Sequence, residues 1–128
     1  MVVTRFKQPR RKKPRSASKR YGMSPEHLGL VRQLPSCLSG QGPCDPHHLR
    51  SGGAEKERGT GLKATDRWAI PLTRGEHIAI HKISGRQERD YLVDRGVNPL
   101  ELARALWEAT GDLDRMTAIV MDNLEGGL

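Results

Sequence analysis

The chain has 128 residues, of which 35% are apolar, and only two Trp, two Tyr and one Phe are aromatic. This supports one small core and favours a fold that loops or a metal ion help to stabilise. No apolar run approaches the roughly 18 residues of a membrane helix, and none follows the charged N-terminus as in a signal peptide. We therefore expect a cytoplasmic protein without membrane contact, whose Cys37 and Cys44 stay reduced.

The net charge of +7 is concentrated at the N-terminus. Residues 1–20 contain nine of the 22 Lys and Arg residues and no acid, so 13 bases face 15 acids in the rest of the chain. This composition predicts a disordered basic arm over residues 1–22 that attracts phosphate backbones, although a merely solvated tail would look the same. The residues predicted to bind nucleic acid are seven in the arm and one in a later loop: Arg10, Arg11, Lys12, Lys13, Arg15, Lys19, Arg20 and Lys63.

A short helix is predicted to follow the arm. Ser24 suits the N-cap and Pro25 the first helical position, while Pro35 is expected to end the helix. His27 lies in the first turn of this helix, and we predict that it is a surface residue rather than a metal ligand.

Two extended segments are predicted next, separated by a glycine-rich loop at residues 52–63. Residues 44–50 fit one arm of a hairpin, and residues 68–72 alternate as a strand does. Pro71 cannot donate to a sheet, which restricts the second strand to an edge or a two-stranded ribbon.

The remainder is predicted to be helical. Thr73 is placed to cap a helix over residues 74–84, with Glu76 completing a capping box and Gly85 ending the helix. Further helices are expected over residues 86–95, from Asn98-Pro99 to Gly111, and from Asp112 or Asp114 onward. The predicted class is α+β in one domain, residues 23–128, with a core at about 36–84 and C-terminal helices over 86–124.

Four histidines carry the chemistry. His77 and His81 are four residues apart, so one helix face can direct both imidazoles at one point. His47 and His48 are adjacent on a predicted strand, where neighbouring side chains point to opposite faces and should have different roles. His47 can complete a metal site with the helical pair while His48 faces the reacting groups. This pattern indicates a metal-dependent nuclease centre.

The segments C-D-P-H-H-L-R, G-T-G-L-K-A-T-D-R-W-A-I-P-L and H-I-A-I-H resemble those of the HNH endonucleases, and most closely the phage recombination-associated (Ref-like) group. The resemblance covers about residues 36–82 and implies a ββα-metal core, in which a hairpin and a helix grip one metal ion. It also implies that His47, His77 and His81 bind the metal and that His48 is the general base. The implied partners are DNA and, in a phage-infected or bacterial cell, a recombinase–DNA filament.

The sequence departs from the HNH pattern in two places. The central Asn of the signature is absent: Trp68 occupies its spacing, and Asp66 is the nearest polar substitute. Gly40, Thr73 and Glu76 stand where relatives carry cysteines for a second, structural zinc, so we expect no second zinc site.

The remaining roles follow from residue type. Arg50 lies two residues from His48 and can hold a phosphate oxygen. A surface position without a role in the site explains this arginine equally well. Asp45 or Asp66 can orient a ligand imidazole. Three nitrogen ligands favour zinc as the bound divalent ion, with magnesium or manganese as alternatives for turnover.

Two competing readings stay open at this stage. In the first, Cys37 or Cys44 joins His77 and His81 in a closed zinc site, giving a non-catalytic nucleic-acid-binding module. In the second, the missing Asn marks an HNH fold that has lost its activity and serves as an accessory protein.

Overall fold

A two-stranded antiparallel sheet and five α-helices form the part of the chain that the computed structural model describes, residues 23–50 and 65–126. The predictions for the basic arm and the loop at 52–63, including Lys63, lie outside those residues. The elements in chain order are α1 (Pro25–Val31), β1 (Cys44–His48), a 3-10 helix (Asp66–Trp68), β2 (Ala69–Thr73), α2 (Arg74–His81), α3 (Gly85–Asp94), α4 (Pro99–Glu108) and α5 (Leu113–Gly126). The mixed α/β class agrees with the prediction.

The sheet is the two-stranded ribbon that Pro71 predicts. Cys44 lies opposite Thr73 and His48 opposite Ala69, which places Pro46 across from Pro71. Neither proline can donate a ladder hydrogen bond, so the pairing suits a ribbon better than the centre of a larger sheet. The second strand begins one residue later than predicted.

Local capping signals explain most helix boundaries. Ser24 caps α1 through its Oγ, which accepts from the His27 N–H at 3.1 Å, but α1 ends at Val31, before Pro35. Thr73 and Glu76 form the predicted capping box of α2. The prediction that Gly85 ends this helix is wrong, because Ser84 caps the next helix and Gly85 begins it.

The prediction of a surface position for His27 is also wrong. Its side chain is fully buried, with Nδ1 2.9 Å from Thr110 Oγ1 and its ring 4.9 Å from that of Trp107, centroid to centroid. Since both partners come from α4 and the turn after it, His27 secures the first helix against a distant part of the chain.

One apolar core joins the sheet to the helices that flank it. It contains Val31, Leu34, Ile70, Leu72, Ile80, Leu92, Leu102, Leu106, Met116 and Val120, all at most 5% exposed. Ile80 belongs to α2 and Ile70 and Leu72 to β2, so the core holds the helix with His77 and His81 firmly against the hairpin with His47. In residues 23–50 and 65–126, no helix has the length and apolar character needed to cross a membrane.

Candidate metal centre

Three imidazoles meet where β1 packs against α2. One ring nitrogen from each of His47, His77 and His81 lies within 4.8 Å of the others, and the Nε2 atoms of His77 and His81 are 3.1 Å apart. His47 is fully buried, His77 is partly buried and His81 is exposed. The predicted ligand set is therefore brought together, and this group could hold a metal ion with its open side toward solvent.

The hydrogen bonding of His47 fits a metal ligand. Its Nε2 lies 2.8 Å from Glu88 Oε1, and its buried Nδ1 has no hydrogen-bond partner among the residues that the structure describes. Burial lowers the pKa of His47 despite the neighbouring carboxylate, so the imidazole is neutral. A neutral ring that donates Nε2–H to Glu88 leaves the Nδ1 lone pair available. Because an unsatisfied buried acceptor costs roughly 1–3 kcal/mol, a ligand at Nδ1 would relieve a real penalty.

Glu88 is the site residue that the sequence did not reveal. Its fully buried carboxylate accepts from the Arg50 backbone N–H at 2.7 Å as well as contacting His47. Burial alone would raise the pKa of Glu88, but the hydrogen bonds from His47 and Arg50 hold it below its ordinary value. In sequence it sits among charged residues typical of a solvated helix face. The available signal is its spacing of four residues from the buried Leu92, which places both on one face of α3.

Asp45, one of the two acids predicted to orient a ligand imidazole, contacts His77. Its Oδ2 is 3.2 Å from His77 Nδ1 and 3.1 Å from Arg74 Nε. A carboxylate on the far nitrogen fixes the ring of a metal-binding histidine and increases its basicity. Two of the three candidate ligands therefore have an acidic partner, Glu88 for His47 and Asp45 for His77.

His48 lies beside the cluster and has a different partner. Its Nε2 is 2.8 Å from Asp66 Oδ1, while Asp66 Oδ2 accepts from the Ser24 N–H at 2.8 Å. Burial alone would raise the pKa of Asp66, but these hydrogen bonds hold it below its ordinary value. The charged carboxylate favours the tautomer with a proton on Nε2, leaving His48 Nδ1 as the basic nitrogen. Asp66 thus orients the candidate base rather than a metal ligand.

The structure gives Arg50 a bracing role in the fold. Its Nη2 donates to the Ile80 carbonyl oxygen at 2.8 Å, and its Nε is 3.4 Å from Glu88 Oε1. These contacts tie the end of the first hairpin arm to α2 and α3. The sequence left a phosphate contact and a surface position as alternatives for this side chain, which lines the cleft described next.

An open cleft of about 660 Å³ lies over the histidines. Three histidines and three arginines line it: His48, His77, His81, Arg32, Arg50 and Arg74. Arg32, just after α1, and Arg74, at the start of α2, are both exposed. Asp45 is the acid in this lining, so the three arginines leave the cleft with a net positive charge that favours anionic ligands.

Cys37 and Cys44 do not join the cluster. They are 1% and 5% exposed, and neither belongs to the candidate metal-binding group found in the described residues. Burial, followed by the charge of Glu76, raises the thiol pKa of Cys37 to about 12 and that of Cys44 to about 11. Protonated, buried thiols behave as small hydrophobic groups, and the thiolate is the form that binds zinc.

Comparison with known proteins places the chain in a family. The family described as "Protein of unknown function (DUF968)" matches residues 8–107. No curated protein and no solved structure matches the chain.

Proposed function

The chain belongs to the DUF968 family of proteins of unknown function, and we propose from the geometry of its site that it is a metal-dependent HNH-type endonuclease that hydrolyses DNA. One observation carries the proposal. Three imidazole nitrogens within 4.8 Å of one another stand beside a fourth histidine, His48, which has its own carboxylate partner and lines the same cleft.

The order of elements supports this proposal. A hairpin of β1 and β2 is followed directly by α2, and the three candidate ligands come from the first strand and the helix. This is the arrangement expected of a ββα-metal core. Asp66, the nearest substitute for the missing HNH Asn, supports it further, because its contacts with His48 and Ser24 tie the segment before β2 to the rest of the site.

His47, His77 and His81 would hold the ion. Three nitrogen donors suit zinc, which we propose as the resident ion, with manganese or magnesium as alternatives during turnover. When bound, such an ion supplies Lewis-acid stabilisation of the charge on the scissile phosphate and on the leaving oxygen.

His48 supplies the base. Its Nδ1 accepts a proton from the attacking water as the new phosphorus–oxygen bond forms and the bond to the 3′ oxygen breaks. The resulting imidazolium is stabilised by Asp66, whose carboxylate is 2.8 Å from the other ring nitrogen. Arg32 and Arg74, exposed along the cleft, bind the phosphates next to the scissile one. The link to phage DNA and to a recombinase–DNA filament rests on the sequence resemblance alone.

Plasmid nicking tests the proposal. We expect the full chain to relax supercoiled plasmid in the presence of zinc, manganese or magnesium. His48→Ala and the closer-sized His48→Gln should reduce the rate at least about 100-fold, because general-base catalysis contributes on that scale. Both variants should retain the metal content of the wild type, since His48 is not one of the proposed ligands. Wild-type nicking that persists in these variants would contradict the assignment of the base.

A second candidate function is an inactive HNH accessory protein. The replacement of the HNH Asn favours it, because Trp68 at that spacing cannot make the same side-chain hydrogen bonds. A wild-type protein that binds metal and DNA but nicks neither supercoiled plasmid nor circular single-stranded DNA, with any of the three ions, would favour this candidate over the nuclease.

A further inference from the structure

A second cavity, of about 370 Å³, lies between the 3-10 helix and α4. Its lining consists of two tryptophans, two arginines and one acid: Trp68, Trp107, Arg67, Arg104 and Glu108. Among the described residues its lining does not overlap that of the histidine cleft. The volume falls within the roughly 300–1,000 Å³ of small-ligand sites. We call this cavity the tryptophan pocket.

The chemistry of the tryptophan pocket selects a flat, anionic ligand. The guanidinium carbon of Arg67 lies 5.3 Å from the centroid of the Trp68 ring, and the Trp107 ring packs against buried His27. Arg104 and Glu108 are exposed and stand one helical turn apart on α4. Two cations and one acid give the lining a net positive charge. Indole and guanidinium groups together stack well on nucleobases, and the cations suit the attached phosphates.

The tryptophan pocket is connected to the candidate base by a short segment. Trp68 follows Asp66 by two residues, and Asp66 holds His48. On the opposite strand, the N–H of Leu49, the residue after His48, donates to the Trp68 carbonyl oxygen at 2.8 Å. The tryptophan pocket and the candidate base are therefore joined through Asp66 and through the backbone contact between Leu49 and Trp68.

We propose that the tryptophan pocket binds an unpaired nucleobase of a DNA strand whose backbone enters the histidine cleft. This inference rests on the proposed nuclease function and deepens it by naming the substrate class, single-stranded or locally unpaired DNA. The bases of intact duplex are stacked and paired, so such a pocket reaches one only after unstacking it, at a cost of a few kcal/mol. The pocket thereby discriminates against regular duplex.

Intrinsic fluorescence tests this directly, because both tryptophans of the chain line the pocket. The full-length protein in EDTA, where cleavage cannot proceed, is titrated with a short oligothymidylate and, separately, with a short self-complementary duplex. Base stacking should quench the emission saturably with the single strand, and the duplex should need at least about tenfold higher concentration. Arg104→Ala should weaken the single-strand affinity by roughly threefold to tenfold. The matched control Arg115→Ala, an exposed arginine of α5 outside both cavities, should leave it unchanged.

Three outcomes would overturn the inference: no quenching, equal quenching by the duplex, or equal quenching by oligoglutamate, which would assign the pocket to acidic peptides. Its failure is separable from that of the nuclease. Nicking of circular single-stranded DNA without any quenching would contradict base binding in the tryptophan pocket and would support the nuclease activity. Saturable quenching of a protein that never nicks DNA would support base binding in the tryptophan pocket and would contradict the nuclease activity.

Discussion

Glu88 controls the candidate metal centre from a helix that contributes none of the three imidazoles. Its carboxylate fixes which nitrogen of His47 carries the proton and, by accepting from Arg50, also anchors the end of the first hairpin arm. A buried carboxylate is costly unless every oxygen has a donor. Donors to this carboxylate include the imidazole of a candidate ligand, the Arg50 backbone N–H and the Arg50 Nε–H, so the candidate metal centre and the fold depend on the same group.

Replacing this carboxylate by an amide should therefore weaken metal binding. Glu88→Gln keeps the volume but removes the charge that orients His47, and partners of this kind are typically worth about 10–100-fold in metal affinity. Competition with a chromophoric zinc chelator measures the change. Glu125→Gln, an exposed acid on α5, is the matched control and should bind zinc as the wild type does. Unchanged affinity in Glu88→Gln would show that His47 does not need this partner.

Sequence reasoning found the residues of this site that have a distinctive type, and it missed the one that does not. The spacing of four residues indicated His77 and His81, and strand alternation separated the roles of His47 and His48. Glu88 is one of 15 acids, and its burial depends on an approach of α3 to residues 41 positions away. No local pattern encodes such a contact.

At the scale of single elements, caps decide where the helices begin. The capping box at Thr73 starts α2 at a residue that leaves His77 and His81 on the face toward the hairpin. Gly96 and Gly111 end their helices with φ of +85° and +100°, conformations that favour glycine. Gly85 was expected to do the same, but its φ is not positive and Ser84 caps α3 there instead. A glycine alone does not distinguish the end of one helix from the start of the next.

The effect of losing the cap of α2 can be compared with the effect of losing the cap of α5, a helix that carries no site residues. Thr73→Ala should lower the free energy of unfolding by about 1 kcal/mol, as loss of an N-cap does, and should also weaken zinc binding because the first turn of α2 positions His77. Asp112→Ala removes the cap of α5, where Asp112 Oδ1 accepts from the Arg115 N–H at 3.1 Å. Asp112→Ala should lower the free energy of unfolding in urea by about the same amount as Thr73→Ala, without changing the zinc affinity. An equal loss of zinc affinity in both variants would contradict a specific role for the Thr73 cap.

At the scale of the whole molecule, the buried polar groups link stability to pH. Burial lowers the pKa of His47, and burial together with the neighbouring imidazoles lowers that of His81. Glu88 and Asp66 have lowered pKa values because their hydrogen bonds outweigh the cost of burial. For all four groups the unfolded chain takes up protons at a higher pH than the folded one. Stability must therefore fall as the pH falls.

The stability of the metal-free protein should fall with decreasing pH in two stages. Urea midpoints should be nearly constant between pH 7 and 8 and should decrease as the pH passes below 6.5, the ordinary pKa of the histidines. A steeper decrease should begin near 4.5, where Glu88 takes up a proton in the unfolded chain, and continue below it for Asp66. Midpoints that stay constant or rise between pH 7 and 5 would contradict the neutral, buried state of His47.

The overall class was predictable, whereas the arrangement of the outer helices was not. Alternation, the prolines and the caps indicate a two-stranded ribbon followed by a helix, and the structure has both. The folding back of α1 is not visible in sequence, although it brings the Ser24 N–H to Asp66 over a separation of 42 residues. The burial of His27 against Trp107 has the same origin. Such contacts depend on which apolar faces find one another, and many pairings satisfy the same patterns.

Zinc content per chain tests the central claim most directly. The purified wild type, loaded with zinc and freed of excess by gel filtration, should retain one ion per chain. His81→Ala should lose it, while the neighbouring control Lys82→Ala and the double variant Cys37→Ala/Cys44→Ala should retain it, because the three histidines are the proposed ligands. Full zinc in His81→Ala, or loss of zinc in the cysteine variant, would contradict a centre built from three imidazoles.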